Sequence, residues 1–317
     1  MEKASINWLD DYFNTHEVHK HAFKSIVCQV QSKIQKIIVV DTYNYGRCLI
    51  LDNEFQSAEL DEFIYHEALV HPSLILHPDA EQILILGGGE GATLREVLRY
   101  QTVKKVVMVD IDKEMIECAK KYLPSFHAGA FDDSRVALVI EDGRKYLERR
   151  TEQFDVVIVD VNDPLEGGRS YMLFTMGFYR IIAEKLKKDG ILIVQSGAAS
   201  ITENDVFTSI CNTLGKVFPH VFPYVTYIPS YALQWGFSMA THNPGNLDIT
   251  GEAIDNRIVS RVNGTLRFYD SITHHALFNL PKYLRADIQK QQRIITDKDP
   301  LTDHYPGISV DKSDKNL

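Results

Sequence analysis

Residues 83–97, ILILGGGEGATLREV, run four aliphatics into a glycine-rich turn that carries a carboxylate, Glu90. The spacing Gly87-x-Gly89-x-x-Ala92 fits the dinucleotide-binding fingerprint G-x-G-x-x-G/A, whose glycines bring the backbone close to a pyrophosphate. A carboxylate at that point would repel a phosphate, so the loop asks for a different ligand. More acids recur downstream at the same relative place. Asp110 and Asp112 follow the next aliphatic run, Glu141 and Asp142 the third, Asp160 and Asp163 the fourth. Each acid alone reads equally well as a helix cap or turn residue. Together on one rim they would repel one another and raise each other's pKa unless cations neutralise them, so the set reads as a cation site. Asp110, twenty residues after Glu90, stands where an acid accepts the hydroxyls of a ribose. Both NAD and S-adenosyl compounds offer that ribose. Only the latter replace the pyrophosphate with a sulfonium and an ammonium, which Glu90 would attract.

The elements that must hold these residues follow from periodicity. From residue 82 onward, aliphatic runs alternate with amphipathic stretches: QILILGGGEGATLREVLRY, VKKVVMVDIDKEMIECAKKYL, RVALVIEDGRKYLERR, FDVVIVDVNDPLEGG, and LFTMGFYRIIAEKLKKDGILIVQSG. Near-continuous aliphatic strands separated by helices indicate an α/β doubly wound, Rossmann-like sheet covered on both faces. In such sheets ligands sit outside the carboxyl ends of the strands, which is where the acids fall. Residues 22–60 read instead as a β-rich unit with an Asp-Asn turn at 52–53, and DEFIYHEALVHPSLILHP as a helix capped by Asp61 and broken at His71-Pro72. The expected domains are therefore a β-rich unit over 1–76 and the Rossmann-like unit over 77–317. The last dozen residues, PGISVDKSDKNL, read as a loose tail.

Composition narrows the partners. The net charge of −9, from 34 basic and 43 acidic residues, disfavours nucleic acid and suits cationic ligands. The four cysteines, at 28, 48, 118 and 211, form no C-x-x-C or other close pair, which fits a reducing cytoplasm and no zinc site or disulfide framework. The N-terminus shows no apolar signal region and no stretch reaches 18 apolar residues, so no membrane association is expected. HEALVH at 66–71 differs from the zinc motif H-E-x-x-H because its second histidine comes one residue late, with Val70 in its place. An i, i+5 pair does not share a helix face, so the motif reads as structural.

At this point the residues resemble the polyamine aminopropyltransferases, which include the spermidine synthases. The resemblance runs through LDNEFQSAELDEFIYHEALVHP, GGGEGATLREVLR, VVMVDID, EDG, FDVVIVDVNDP, LFTMGFYR, IPSYALQWGF and LPKYL in order. It implies transfer of the aminopropyl group of decarboxylated S-adenosylmethionine to an amine, releasing 5′-methylthioadenosine, with no cofactor and no metal because the sulfonium is already an activated leaving group. Carried over by position, the resemblance gives Gln35, His66, Gly87, Gly89, Glu90, Asp110, Asp142 and Gly143 to the donor. It gives Tyr65, Asp160, Asp163 and Tyr231 to the acceptor, with Asp160 and Tyr65 as the catalytic pair. It further implies a homodimer or homotetramer.

Departures from the spermidine synthase pattern bear on the acceptor. DVNDP followed by LEGGRSYMLFT, the Glu-Gly-Ala of the glycine loop and VQSGAAS look more like thermospermine synthases and the agmatine- or triamine-using aminopropyltransferases. The expected acceptor is thus spermidine or agmatine, with putrescine as the alternative. Gly167-Gly168 would let residues 163–175 move as a lid. Three rivals stay open on the residues alone: an S-adenosylmethionine-dependent amino-methyltransferase, an NAD-dependent dehydrogenase, and a non-catalytic scaffold on the same fold.

Overall fold

A computed structural model describes residues 6–14, 16–164, 170–244 and 249–301. The amino-terminal residues form a five-stranded antiparallel meander in chain order: β1 (Asn7–Asn14), β2 (Glu17–Gln31), β3 (Lys36–Thr42), β4 (Arg47–Leu51) and β5 (Glu54–Ala58). The β-branched run of β3 buries Ile37, Ile38, Val39 and Val40. Asp52 and Asn53 make the expected turn between β4 and β5, with φ of 51° and 70° and Leu51 paired to Glu54. Asx residues accept such values in two-residue hairpin loops. Strand structure begins at Asn7, well before the expected residue 22, because β1 pairs along β2. Its alternation is hidden in the sequence, since Asp11 is buried and Trp8 exposed.

Helix α1 (Glu62–Leu76) runs straight through Pro72, so the expected break at His71-Pro72 does not occur. Proline removes the N–H that the carbonyl four residues earlier would receive. Here that carbonyl belongs to Ala68, and the buried Tyr224 hydroxyl donates to it instead, at 2.8 Å. Asp61 stands at the N-cap position but makes no cap bond. Its carboxylate accepts the Ser230 N–H at 2.7 Å and so ties the helix start to a distant turn. The expected boundary at residue 76 falls at the far end of this helix. Because α1 packs against the larger sheet, we propose that it be counted with that unit and that the division lies near residue 60.

The larger sheet has seven strands: β6 (Gln82–Gly87), β7 (Lys105–Asp110), β8 (Val136–Ile140), β9 (Phe154–Asp160), β10 (Leu186–Ala198), β11 (His220–Ile228) and β12 (Leu233–Thr241), in the order β11-β12-β10-β9-β6-β7-β8. Strands β6 to β10 pair in parallel, while β12 lies antiparallel between β10 and β11. Helices cover both faces: α2 (Ala92–Leu98), α3 (Lys113–Tyr122), α4 (Pro124–His127), α5 (Gly143–Glu148), α6 (Met176–Lys185) and α7 (Asp205–Leu214), then α8 (Gly251–Arg261), α9 (Ser271–Phe278) and α10 (Lys282–Lys290) after the sheet. Along β6, Ile83 and Ile85 enter one core while Leu84 and Leu86 enter the other. That two-sided burial is why the strand reads as an unbroken aliphatic run.

The chain moves outward from β6 to β7 and β8, then returns to place β9 on the other side of β6. The strand order therefore reverses between β6 and β9, which opens a crevice at their carboxyl ends. Among the described residues no helix is long and apolar enough to cross a membrane. Cys28 and Cys118, remote in sequence, face each other as free thiols with sulfurs 3.9 Å apart, joining β2 to α3. Gly167-Gly168 and the tail from residue 306 lie outside the described residues.

Candidate active site

The crevice is a cleft of about 560 Å³, within the usual range for a small-molecule site. Its floor is the contact between β6 and β9, where Gly87 pairs with Asp160 and the Gly88 N–H donates to the Asp160 carbonyl at 2.8 Å. Gly87 has φ +84°, and a Cβ there would lie 2.1 Å from that carbonyl oxygen. Only glycine fits. The turn that follows brings Glu90 to the cleft wall, with Asp110, Asp142, Gly143, Asp160 and Asp163 along the same rim. Of the acids that the sequence reading puts on this rim, Glu90, Asp110, Glu141, Asp142, Asp160 and Asp163 line the cleft, and Asp112 does not.

Asp160 is the centre. Tyr65, from α1, donates its hydroxyl to Asp160 Oδ1 at 2.7 Å. Thr93, in the first turn of α2, donates to Oδ2 at 2.6 Å. Burial, reinforced by the charge of Glu90, pushes the Asp160 carboxyl up to about 6. Burial and the neighbouring Asp160 charge hold the Tyr65 phenol well above its ordinary value, so it stays a donor.

His66 follows Tyr65 and lies 2.9 Å from Glu90 Oε1 through Nε2, with Nδ1 2.8 Å from Glu62 Oε2. Burial works against its charge, but the hydrogen bonds to Glu62 and Glu90 win and lift it to about 10. His66, Glu90 and Asp160 offer potential metal-ligand atoms within 4.8 Å of one another. Both imidazole nitrogens of His66 lie within hydrogen-bond distance of carboxylates. His71, the other histidine of HEALVH, is fully buried between Tyr100 Oη at 2.9 Å and Glu96 at 3.1 Å, a structural role.

The β7 side of the cleft holds Asp110, whose Oδ1 accepts the Asp112 N–H at 2.8 Å. Burial, with the charges of Asp112, Glu90 and Asp160, raises Asp110 to about 7. Asp112, grouped with the cation-binding rim by sequence, is instead an anchor. It caps α3 and accepts Ser32 Oγ at 2.7 Å and Gln35 Nε2 at 3.0 Å. That bond brings the β2–β3 turn of the first sheet over the cleft and sets Gln35 in its wall. Asp142 caps α5 through the Lys145 N–H at 2.9 Å, and its side chain also lines the cleft. Glu141 pairs with Arg149.

The opposite side carries Asp163, which accepts Gln195 Nε2 at 2.9 Å. Tyr231 donates to the Gln56 carbonyl and packs edge-on to Tyr65 and to Trp235, with ring centroids 6.4 Å and 5.0 Å away. Thr93, Gln195, Trp235 and Glu203 are wall or supporting residues that sequence reasoning missed. Only Gln195, at the end of the fifth parallel strand, carried a signal that the rim rule would have found. Glu203, between β10 and α7, is pushed up to about 8 by burial and by Asp163, Glu17 and Asp205.

Fold and site define a doubly wound α/β protein whose crevice at the strand-order reversal is lined with carboxylates. Comparison with known proteins makes this specific. A spermine/spermidine synthase domain matches residues 62–249, and a spermidine synthase tetramerisation domain matches residues 8–59. The polyamine aminopropyltransferase of Sulfolobus acidocaldarius is 43% identical over 294 residues, and that of Sulfurisphaera tokodaii 42% over 295. Each match covers 93% of this chain and 97% of the relative. The spermidine synthase structure from Thermotoga maritima aligns with a TM-score of 0.82 at 29% identity, over 92% of this chain and 98% of that one. A spermidine synthase solved with the transition-state analogue AdoDATO gives 0.82 at 30%, over 92% and 99%. The chain belongs to the spermine/spermidine synthase family and is an aminopropyltransferase. The methyltransferase, dehydrogenase and scaffold readings fall away.

Proposed function

We propose that decarboxylated S-adenosylmethionine lies along the Asp110–Asp142 side of the cleft and that a polyamine longer than putrescine, or agmatine, lies along the Asp163 side. The observation that carries this reading is the position of Asp160: it sits at the strand-order reversal, between the two sides, with Tyr65 on one oxygen and Thr93 on the other. Asp110 accepts the ribose hydroxyls, Asp142 the adenine amino group, and Glu90 the donor's terminal ammonium. The acceptor's amine must be neutral to attack, although free alkyl amines are mostly protonated at neutral pH. Asp160 takes that proton, directly or through water, and aims the lone pair at the methylene beside the sulfonium. The new C–N bond forms as the C–S bond breaks. Its electron pair stays on sulfur, and 5′-methylthioadenosine leaves.

The longer acceptor is supported by the carboxylates that continue past Asp160. Asp163 and then Glu203 line the cleft beyond the reacting centre, which suits the second and third nitrogens of spermidine or the guanidinium of agmatine. The tetramerisation-domain match supports a homo-oligomer assembled through the first sheet, and the free thiols suit a reducing cytoplasm. The deciding experiment supplies the purified enzyme with decarboxylated S-adenosylmethionine and putrescine, cadaverine, agmatine or spermidine in parallel, and separates spermine from thermospermine by chromatography. Spermidine or agmatine should give the highest kcat/KM. A preference for putrescine would overturn the long-acceptor reading and leave the reaction unchanged. No 5′-methylthioadenosine with any amine would overturn the donor assignment.

A further inference from the structure

Glu62 and Arg95 do not line the cleft, yet a buried chain of hydrogen bonds runs from them into it. Arg95 Nη2 donates to Glu62 Oε2 at 2.9 Å. The same carboxylate oxygen is 2.8 Å from His66 Nδ1, and the Glu62 carbonyl oxygen is 2.7 Å from that nitrogen. His66 Nε2 then reaches Glu90 Oε1 at 2.9 Å. Arg95 is itself fixed by Glu96 Oε1 at 2.8 Å and the Phe126 carbonyl at 2.6 Å. Charges alternate along the chain: guanidinium, carboxylate, imidazole, carboxylate.

A neutral imidazole has one N–H and one lone pair. In either tautomer it would turn a lone pair toward a carboxylate oxygen within 2.9 Å, and on the Nδ1 side toward a carbonyl as well. Only the doubly protonated ring donates in both directions. With His66 1% exposed, water cannot stabilise that cation, so the two flanking carboxylates must. Glu62 in turn stays ionised beside Arg95.

We infer that Glu62 and Arg95 are positioning residues for the donor, acting through His66. They keep the ring doubly protonated, the ring holds one oxygen of Glu90, and the second oxygen is kept for the donor's terminal ammonium. This rests on the donor assignment above. The consequence is a His66–Glu90 contact in which the imidazolium keeps its charge across the working pH range.

The test uses the full-length enzyme. First, the His66 ring proton resonance, assigned by its loss in His66→Gln, is followed against pH in the wild type. It should not titrate below pH 9, and a midpoint below 7.5 would overturn the inference without reference to turnover. Second, Glu62→Gln keeps a hydrogen-bonding group but removes its charge. His66 should then titrate between pH 6 and 8.5, and the donor KM should rise about tenfold across that midpoint. The acceptor KM should stay within about threefold, and Glu62→Asp should restore the wild-type pH profile. A Glu62→Gln enzyme that loses activity equally for donor and acceptor at every pH would make the pair merely structural and refute the inference. Should Glu62→Gln not fold, the wild-type titration alone decides. If the wild type releases no 5′-methylthioadenosine yet His66 stays protonated, the donor assignment fails and the charged chain stands.

Discussion

Asp110→Asn should make the ligand-free enzyme more stable while crippling donor binding. Burial and the charges of Asp112, Glu90 and Asp160 raise the Asp110 carboxyl to about 7, from the ordinary aspartate value of about 3.9. At 1.36 kcal/mol per unit, holding it ionised above pH 7 costs the empty fold about 4 kcal/mol. The sign follows from linkage: a carboxyl raised on folding favours the fold while protonated and disfavours it once ionised, so the cost grows as pH climbs from about 4 to 7 and is constant above. Asn keeps the oxygen that accepts the Asp112 N–H, a 2.8 Å bond in the wild type, and removes only the charge. For 317 residues, at about 2.1 cal/mol/K of unfolding entropy per residue, the gain is about 6 °C in Tm. Scanning calorimetry at fixed protein concentration should show it at pH 8 and lose most of it at pH 4.5. The donor KM should rise about 10- to 100-fold because the amide accepts the two ribose hydroxyls poorly. Equal or lower stability at pH 8, or the same gain at both pH values, would refute the reasoning.

Asp160→Asn should lower kcat at least about a thousandfold with donor affinity by calorimetry nearly unchanged, since a positioned base is lost while the donor's partners remain. For the wild type, kcat/KM for the acceptor should fall below an inflection near pH 6, where Asp160 takes a proton in the free enzyme, and a profile flat to pH 5 would remove Asp160 as the base. Glu203→Gln should raise the KM for spermidine or agmatine about tenfold and leave putrescine within about twofold, read from parallel steady-state assays. Tyr224→Phe strips the hydroxyl from the Ala68 carbonyl above Pro72 and should cost about 1–3 kcal/mol by denaturant unfolding, with kcat unaffected.

Much of this was legible locally. A carboxylate directly after an aliphatic run three times over, and once across three glycines, is visible in the chain, and the rule that parallel strands present ligands at their carboxyl ends turns that repetition into one rim. The Asp52-Asn53 turn and the caps Asp112 and Asp142 are equally local, because their partners lie within three residues. Asp61 and Pro72 misled for the opposite reason. Asp61 bonds Ser230 across 169 positions, and Ala68 is satisfied by Tyr224 across 156. No window of sequence shows such a partner.

The sequence by itself determined the doubly wound sheet, the glycine loop with its carboxylate, and the sign of charge the cleft wants, because periodicity and turn chemistry act over a few residues. Tertiary structure alone decided which strand lies beside which: that β9 returns next to β6 and sets Asp160 against Gly87, that Thr93 and Tyr65 meet on its carboxylate from two helices, and that Asp112 serves as an anchor for Gln35. Those choices rest on which buried faces fit together, and packing of that kind joins residues that the chain keeps far apart.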